Sequence, residues 1–151
     1  MSEAAPHRKA LTLAHFTPYR IVVLGQRMSE QLGAAYRDEG LTIPEWRVLA
    51  AISEAPEVAA RDVASMTPMD KMAVSRAVAS LVGKGLILRV RTKDRRVASL
   101  RLTAKGESVY EKVAAIALDY EEKLLRRLAP AERRAFLEGL SRLETIAHAA
   151  R

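Results

Sequence analysis

Six cations, Arg89, Arg91, Lys93, Arg95, Arg96 and Arg101, fall within thirteen residues, and Asp94 is the only acid among them. Such a run has the chemistry of anion recognition, because arginine forks offer paired N–H donors to phosphates and to guanine edges. A lone acid inside it can orient one guanidinium by a bidentate contact. Charge runs are commonly just solvated faces, but the location of this one argues for more. Residues 61–105 hold eleven Lys/Arg against three Asp/Glu, whereas residues 1–60 hold six against seven and residues 106–151 eight against eight. The net charge of +7 is therefore confined to one segment, as a surface facing a polyanion requires.

Other chemistries find little support. The chain has no cysteine, which removes thiol nucleophiles, disulfides and cysteine-ligated zinc. His7, His15 and His148 form no ligand cluster with neighbouring acids, so neither a metal nor a cofactor is expected. No Ser/His/Asp order, Gly-rich phosphate loop, H-E-x-x-H or paired-carboxylate pattern stands out, and the acids recur at surface-helix spacing. We expect no catalytic residue and no enzyme. Neither a signal-like start nor an apolar run of about 18 residues is found, which leads to the expectation of a soluble cytoplasmic protein without a membrane segment.

The elements that must position these cations can be read from caps and periodicity. The 151 residues are 49% hydrophobic with one Trp, four Tyr and two Phe, a mix suited to helices packed on helices. Thr17-Pro18 predicts a helix start, with Ile21, Leu24, Met28 and Leu32 on one stripe and Gly40 as the stop. Thr42-Ile43-Pro44-Glu45 reads as a capping box opening a helix with Trp46, Val48, Leu49 and Ile52, closed by Ala55-Pro56. A short helix is expected over 60–66. Thr67-Pro68-Met69-Asp70 reads as a second capping box, opening a helix that runs to Lys84 with Gly85 as its stop. The period then changes. Leu86–Thr92 and Val97–Leu102 alternate as strands around a charged tip, and Thr103 caps a helix carrying Val109, Val113, Ile116, Tyr120 and Leu124. A last helix follows Ala129-Pro130, with Phe136, Leu137, Leu140, Leu143 and Ile146. The fold expected is mainly α with a small β-hairpin wing: a winged helix-turn-helix flanked by N- and C-terminal dimerisation helices.

With Val74 turned inward, a period of about 100° per residue buries Val78 and Leu81 with it. The opposite face presents Met69, Met72, Arg76 and Ala79, flanked by Ser75 and Ser80. Short side chains and one long cation suit a helix entering the B-DNA major groove, with Arg76 on a guanine and Met72 or Ala73 on thymine methyls. The free N–H groups at the helix start suit a phosphate. The expected DNA-contacting set is Arg61, Thr67, Met69, Lys71, Met72, Ala73, Ser75, Arg76, Ser80, Lys93, Asp94, Arg95 and Arg96. A winged helix used on RNA or protein would share the cationic face, but the major groove of A-form RNA does not admit a helix.

The stretches Gly40-Leu41-Thr42-Ile43-Pro44-Glu45-Trp46-Arg47-Val48-Leu49 and Met69-Asp70-Lys71-Met72-Ala73-Val74-Ser75-Arg76-Ala77-Val78, with Leu81 and Gly85-Leu86-Ile87, resemble the MarR family of bacterial regulators. So does Asp94-Arg95-Arg96 leading to Leu100-Arg101-Leu102-Thr103-Ala104-Lys105-Gly106. The resemblance implies a homodimer in which residues 1–40 and 104–151 interlock and residues 41–103 form the DNA-binding region. It implies Arg96 in the minor groove held by Asp94, with repression as the default. The winged scaffold implies half-sites about 10 base pairs apart on a palindrome. Apolar stripes on the terminal helices point independently to a dimer. The family also implies release by a small effector, often an aromatic acid or its coenzyme A ester. The candidate effector residues are His15, Tyr19, Arg20, Trp46, Arg47 and Tyr120, which offer cations for a carboxylate and rings for stacking. Taken singly, Trp46 also reads as core.

Overall fold

The computed structural model describes residues 10–91, 93 and 98–150. Along the described residues run α1 (Thr17–Ala35), α2 (Ile43–Ser53), β1 (Val58–Ala59), α3 (Ala60–Met66), α4 (Lys71–Gly83), β2 (Ile87–Arg91), β3 (Ala98–Leu102), α5 (Ala104–Leu125) and α6 (Pro130–Ala149). Single 3₁₀ turns at Leu13–His15 and Arg37–Glu39 flank α1. The result is a mainly helical winged helix-turn-helix with one small antiparallel sheet, strand order β1-β3-β2.

Local side-chain chemistry sets most of the boundaries. At α2 the Thr42 hydroxyl accepts from the Glu45 N–H (3.3 Å), and the Glu45 carboxylate accepts from the Thr42 N–H (2.9 Å), closing the expected capping box. The Thr103 hydroxyl accepts from the Gly106 N–H (3.0 Å) and starts α5. At α6 Pro130 takes the first position, and the Glu132 carboxylate accepts from the Ala129 N–H (2.9 Å). The end of α4 is a Schellman turn: Gly85 takes φ +71°, its N–H reaches the Val82 carbonyl, and the Leu86 N–H reaches the Leu81 carbonyl, both at 3.0 Å.

Four boundaries depart from expectation, the first being that α1 ends at Ala35 while Gly40 caps the 3₁₀ turn after it. Phe16, not Thr17, is the N-cap of α1, without a side-chain cap, and α2 already ends at Ser53. The start of α4 is Lys71 rather than Pro68, because Asp70 is the N-cap and its carboxylate accepts from the Ala73 N–H (2.7 Å). Asp is the stronger cap, and a start at Pro68 would forgo that bond. Thr67 and Pro68 therefore belong to the turn between α3 and α4. Strand β1, two residues pairing with β3 through Val58↔Leu100 and Ala59↔Ser99, was not anticipated.

The core lies under the sheet and inside the helix-turn-helix. Val48, Leu49, Ile52, Val63, Leu81, Ile87, Leu100 and Val113 are fully buried, with Val74 and Val78 close behind. Residues from α2, α3, α4, both hairpin strands and α5 thus share one apolar cluster. Helix α5 joins it by close approach: a Cβ at Gly106 would overlap the Leu86 carbonyl, so only glycine fits. By contrast α1 and α6 contain no buried residue. No helix among the described residues is long and apolar enough to cross a membrane.

Candidate nucleic-acid interface

Helix α4 is held by its buried side, where Val74, Ala77, Val78 and Leu81 enter the core. Its other side is open: Lys71, Met72, Ser75, Arg76 and Ala79 are all exposed, Met72 at 67%. Ala73 is half-buried. Arg61 lies exposed on α3, 3.9 Å from the neighbouring Asp62 carboxylate. Lys93 is exposed between β2 and β3, while Asp94, Arg95 and Arg96 lie outside the described residues. Exposed cations thus stand on α3, on α4 and between the hairpin strands, and the open face of α4 adds short side chains and one unbranched apolar chain.

Three residues of the expected set, and the helix start, are placed differently. Met69 packs against the core because it precedes the helix instead of standing on its outer face. The Thr67 hydroxyl oxygen is buried in the turn and does not reach the surface. Ser80 is only half-exposed, and its hydroxyl donates to the Glu45 carboxylate. The Ala73 N–H at the helix start is occupied by Asp70, so an acid stands where a phosphate was expected.

Glu45 was anticipated only as a cap, yet it ties two helices together. It is 4% exposed. One carboxylate oxygen accepts from Ser80, and the other accepts from the Lys84 ammonium at 2.8 Å as well as from Thr42. Burial pushes its carboxyl up, but hydrogen bonds from Lys84, Ser80 and Thr42 and the Lys84 charge outweigh that and hold it below the ordinary 4.5. Lys84 also donates to the Gly40 carbonyl at 2.7 Å. Just beyond, the Lys105 ammonium and the Thr103 hydroxyl donate to the Lys84 and Gly85 carbonyls (3.0 and 2.7 Å). The C-terminal end of α4 is thus pinned from α2 on one side and from the start of α5 on the other.

The six candidate effector residues fall into three groups within one chain. His15, Tyr19 and Arg20 are exposed around the start of α1, where Tyr19 and Arg20 line an open cavity of about 600 Å³. Tyr120, half-buried on α5, donates to Gln31 of α1 (2.7 Å). Trp46 sits between the Tyr36 ring (centroids 5.9 Å apart, tilted) and the Tyr110 ring (5.8 Å, stacked). Its neighbour Arg47 donates to the Ser29 hydroxyl at 3.0 Å. Burial raises the Tyr36 phenol, and the Arg47 charge opposes that rise. A single chain therefore does not gather the six into one site. Trp46 serves as packing, and Tyr36 and Tyr110, which sandwich it, were missed because isolated tyrosines carry no pattern that pairs them.

A family model described as the MarR family matches residues 39–96. The HTH-type transcriptional regulator BilQ of Clostridium symbiosum is 30% identical over 106 residues, covering 70% of this chain and 74% of that relative. The chain belongs to the MarR family. Two solved structures show the same fold. The mutant MarR C80S from E. coli complexed with operator DNA matches with a TM-score of 0.77 at 20% identity, over 89% of this chain and 99% of that one. The Mycobacterium tuberculosis MarR family protein Rv2887 in complex with p-aminosalicylic acid matches with a TM-score of 0.70 at 24% identity, over 84% and 97%. The protein is thus a MarR-family transcriptional regulator, one of a family of regulators rather than enzymes, and α4 is the second helix of its helix-turn-helix.

Proposed function

We propose that this MarR-family regulator is a repressor that binds a palindromic duplex as a homodimer in the cytoplasm and is released by a small aromatic acid or its coenzyme A ester. The observation that carries the DNA reading is the open face of α4, where Arg76, Met72, Ser75 and Lys71 stand clear of a core-anchored helix inside the one basic segment. That face fits a major groove, with Arg76 on a guanine edge and Lys71 and Arg61 on phosphates. Lys93, Arg95 and Arg96, with Asp94 as the orienting acid, complete the proposed set at the wing. The E. coli protein of the same fold is complexed with operator DNA, which supports duplex DNA as the partner.

The dimer is assigned to residues 1–40 and 104–151, and DNA binding to residues 41–103. Between α1, α5 and α6 lies an apolar cleft of about 740 Å³, lined by residues such as Ile21, Leu24, Met28, Phe136, Leu140 and Leu143. Exposed apolar rows of this kind mark interaction surfaces, which supports a second copy covering them through an isologous contact. The effector class is supported by p-aminosalicylic acid bound to the Mycobacterium relative. Arg20 and Arg47 are the proposed carboxylate partners.

The test is an anisotropy titration of the protein into a labelled duplex from upstream of its own gene, beside a scrambled duplex, at two salt concentrations. Selective binding of one dimer per site, weakened by an aromatic acid, is the expected result. Equal and steeply salt-dependent binding to both duplexes would reduce the basic segment to a nonspecific clamp.

A further inference from the structure

We propose that Glu45 is a positioning residue for sequence recognition, fixing through Ser80 and Lys84 the angle at which α4 presents Arg76. The inference rests on the reading of α4 as the groove-facing helix.

A capping box needs only one side-chain oxygen, which glutamine also supplies. Glu45 uses one hydrogen bond on the Thr42 N–H, and its remaining capacity goes to α4: the Ser80 hydroxyl on one oxygen, the Lys84 ammonium on the other. Burying a charge at 4% exposure is unfavourable unless its partners are in place. A carboxylate held this way therefore defines one relative placement of α2 and α4, and any rotation or slide of α4 strands it. Apolar packing alone is less exacting, since the burial of Val74, Val78 and Leu81 is non-directional and sets no hydrogen-bond geometry.

Arg76 stands one helical turn before Ser80, on the same side of α4. Both line a crevice of about 190 Å³ with Thr42, Glu45 and Ala73. The anchor and the proposed reader are thus neighbours on one helix, and a tilt at Ser80 is passed to the Arg76 guanidinium with little loss. Among the described residues no hydrogen bond or ion pair joins Glu45 to Arg76 itself. Glu45 acts through Ser80 and Lys84.

The experiment compares Glu45→Gln, Arg76→Ala and the double variant in the full-length protein. The probe is a duplex enriched by the parent from a randomised pool, with a scrambled duplex as the reference. Glu45→Gln retains the cap and removes the charge. It should lower affinity for the enriched duplex about tenfold while scrambled-duplex affinity stays within about twofold, the pattern of lost base reading rather than lost phosphate contact. In the Arg76→Ala background, Glu45→Gln should cost less than about twofold, because the group it positions is gone. A merely structural role would give equal losses on both duplexes and additive effects, and either result overturns the proposal. If Glu45→Gln does not fold, Lys84→Met carries the same cycle with the cap untouched. Failure of the parent to enrich any duplex, or of Arg76→Ala to alter binding, would instead overturn the groove-reading assignment.

Discussion

Arg76 and Lys71 both stand at the exposed side of α4, and the two predict opposite signatures. Arg76→Ala should cost roughly 1–3 kcal/mol on an enriched duplex and relax its base preference, whereas Lys71→Ala should weaken enriched and scrambled duplexes alike and flatten the salt dependence by about one counterion. Competition titrations at several salt concentrations separate the two. Arg47 is bound to Ser29 and lies near the Tyr36 phenol, so Arg47→Ala should blunt release by an aromatic acid if it also serves the effector. An unchanged release curve would assign it to the α1–α2 junction alone. Glu45 adds a pH dependence. Its folded carboxyl titrates below the ordinary 4.5, so its stabilising contribution is complete above that value and disappears as pH falls through the lower, folded one. Thermal midpoints of the parent should therefore drop faster below about pH 4.5 than those of Glu45→Gln, whose side chain does not titrate.

At the scale of elements, the sequence revealed the starts that rest on a local side-chain bond and misled where two such bonds compete. The box at Thr42 and Glu45, the cap at Thr103 and the turn glycine at Gly85 all stand where spacing placed them. For α4, Thr67 and Asp70 both carried cap signals, and only the fold shows that Asp70 holds the Ala73 N–H. Asp70→Ala should accordingly lower stability by about 1 kcal/mol, while Thr67→Val should not lower it, as urea midpoints would show. Strand β1 was invisible because two residues have no period, and its pairing depends on β3, far along the chain. The tie from Glu45 to Ser80 and Lys84 was hidden for the same reason: its partners lie 35 and 39 residues away in sequence. The Leu-Thr-x-x-Gly stretch was read as a helix start, and the structure adds why its glycine is needed. Gly106→Ala places a methyl against the Leu86 backbone and should cost roughly 1–3 kcal/mol, since backbone cannot give way as a side-chain tip can.

For the molecule as a whole, the decisive contrast is between a helix-turn-helix with its own closed core and terminal helices without one. Burial of the kind seen at Leu49 is absent from α1 and α6, where Leu24, Ile21, Leu143 and Ile146 remain 48–65% exposed along rows that a lone chain leaves in water. If a second copy covers those rows, folding of the terminal helices and association are one event. Stability then depends on protein concentration, and each tenfold dilution should lower the apparent unfolding free energy by about 1.4 kcal/mol per dimer, with a matching fall in Tm. Leu24→Glu combined with Leu143→Glu places charges inside the cleft, where they cannot be solvated in a closed dimer. Sedimentation should then show a monomer and circular dichroism a reduced helicity, while the helix-turn-helix core, which those residues do not touch, keeps its protected amides in hydrogen exchange. Such a monomer should bind a single half-site weakly and lose the full duplex, because one α4 reaches only one major-groove segment. A double variant that still sediments as the parent dimer would move the interface away from this cleft, and one that binds the full duplex undiminished would show that a single winged unit suffices.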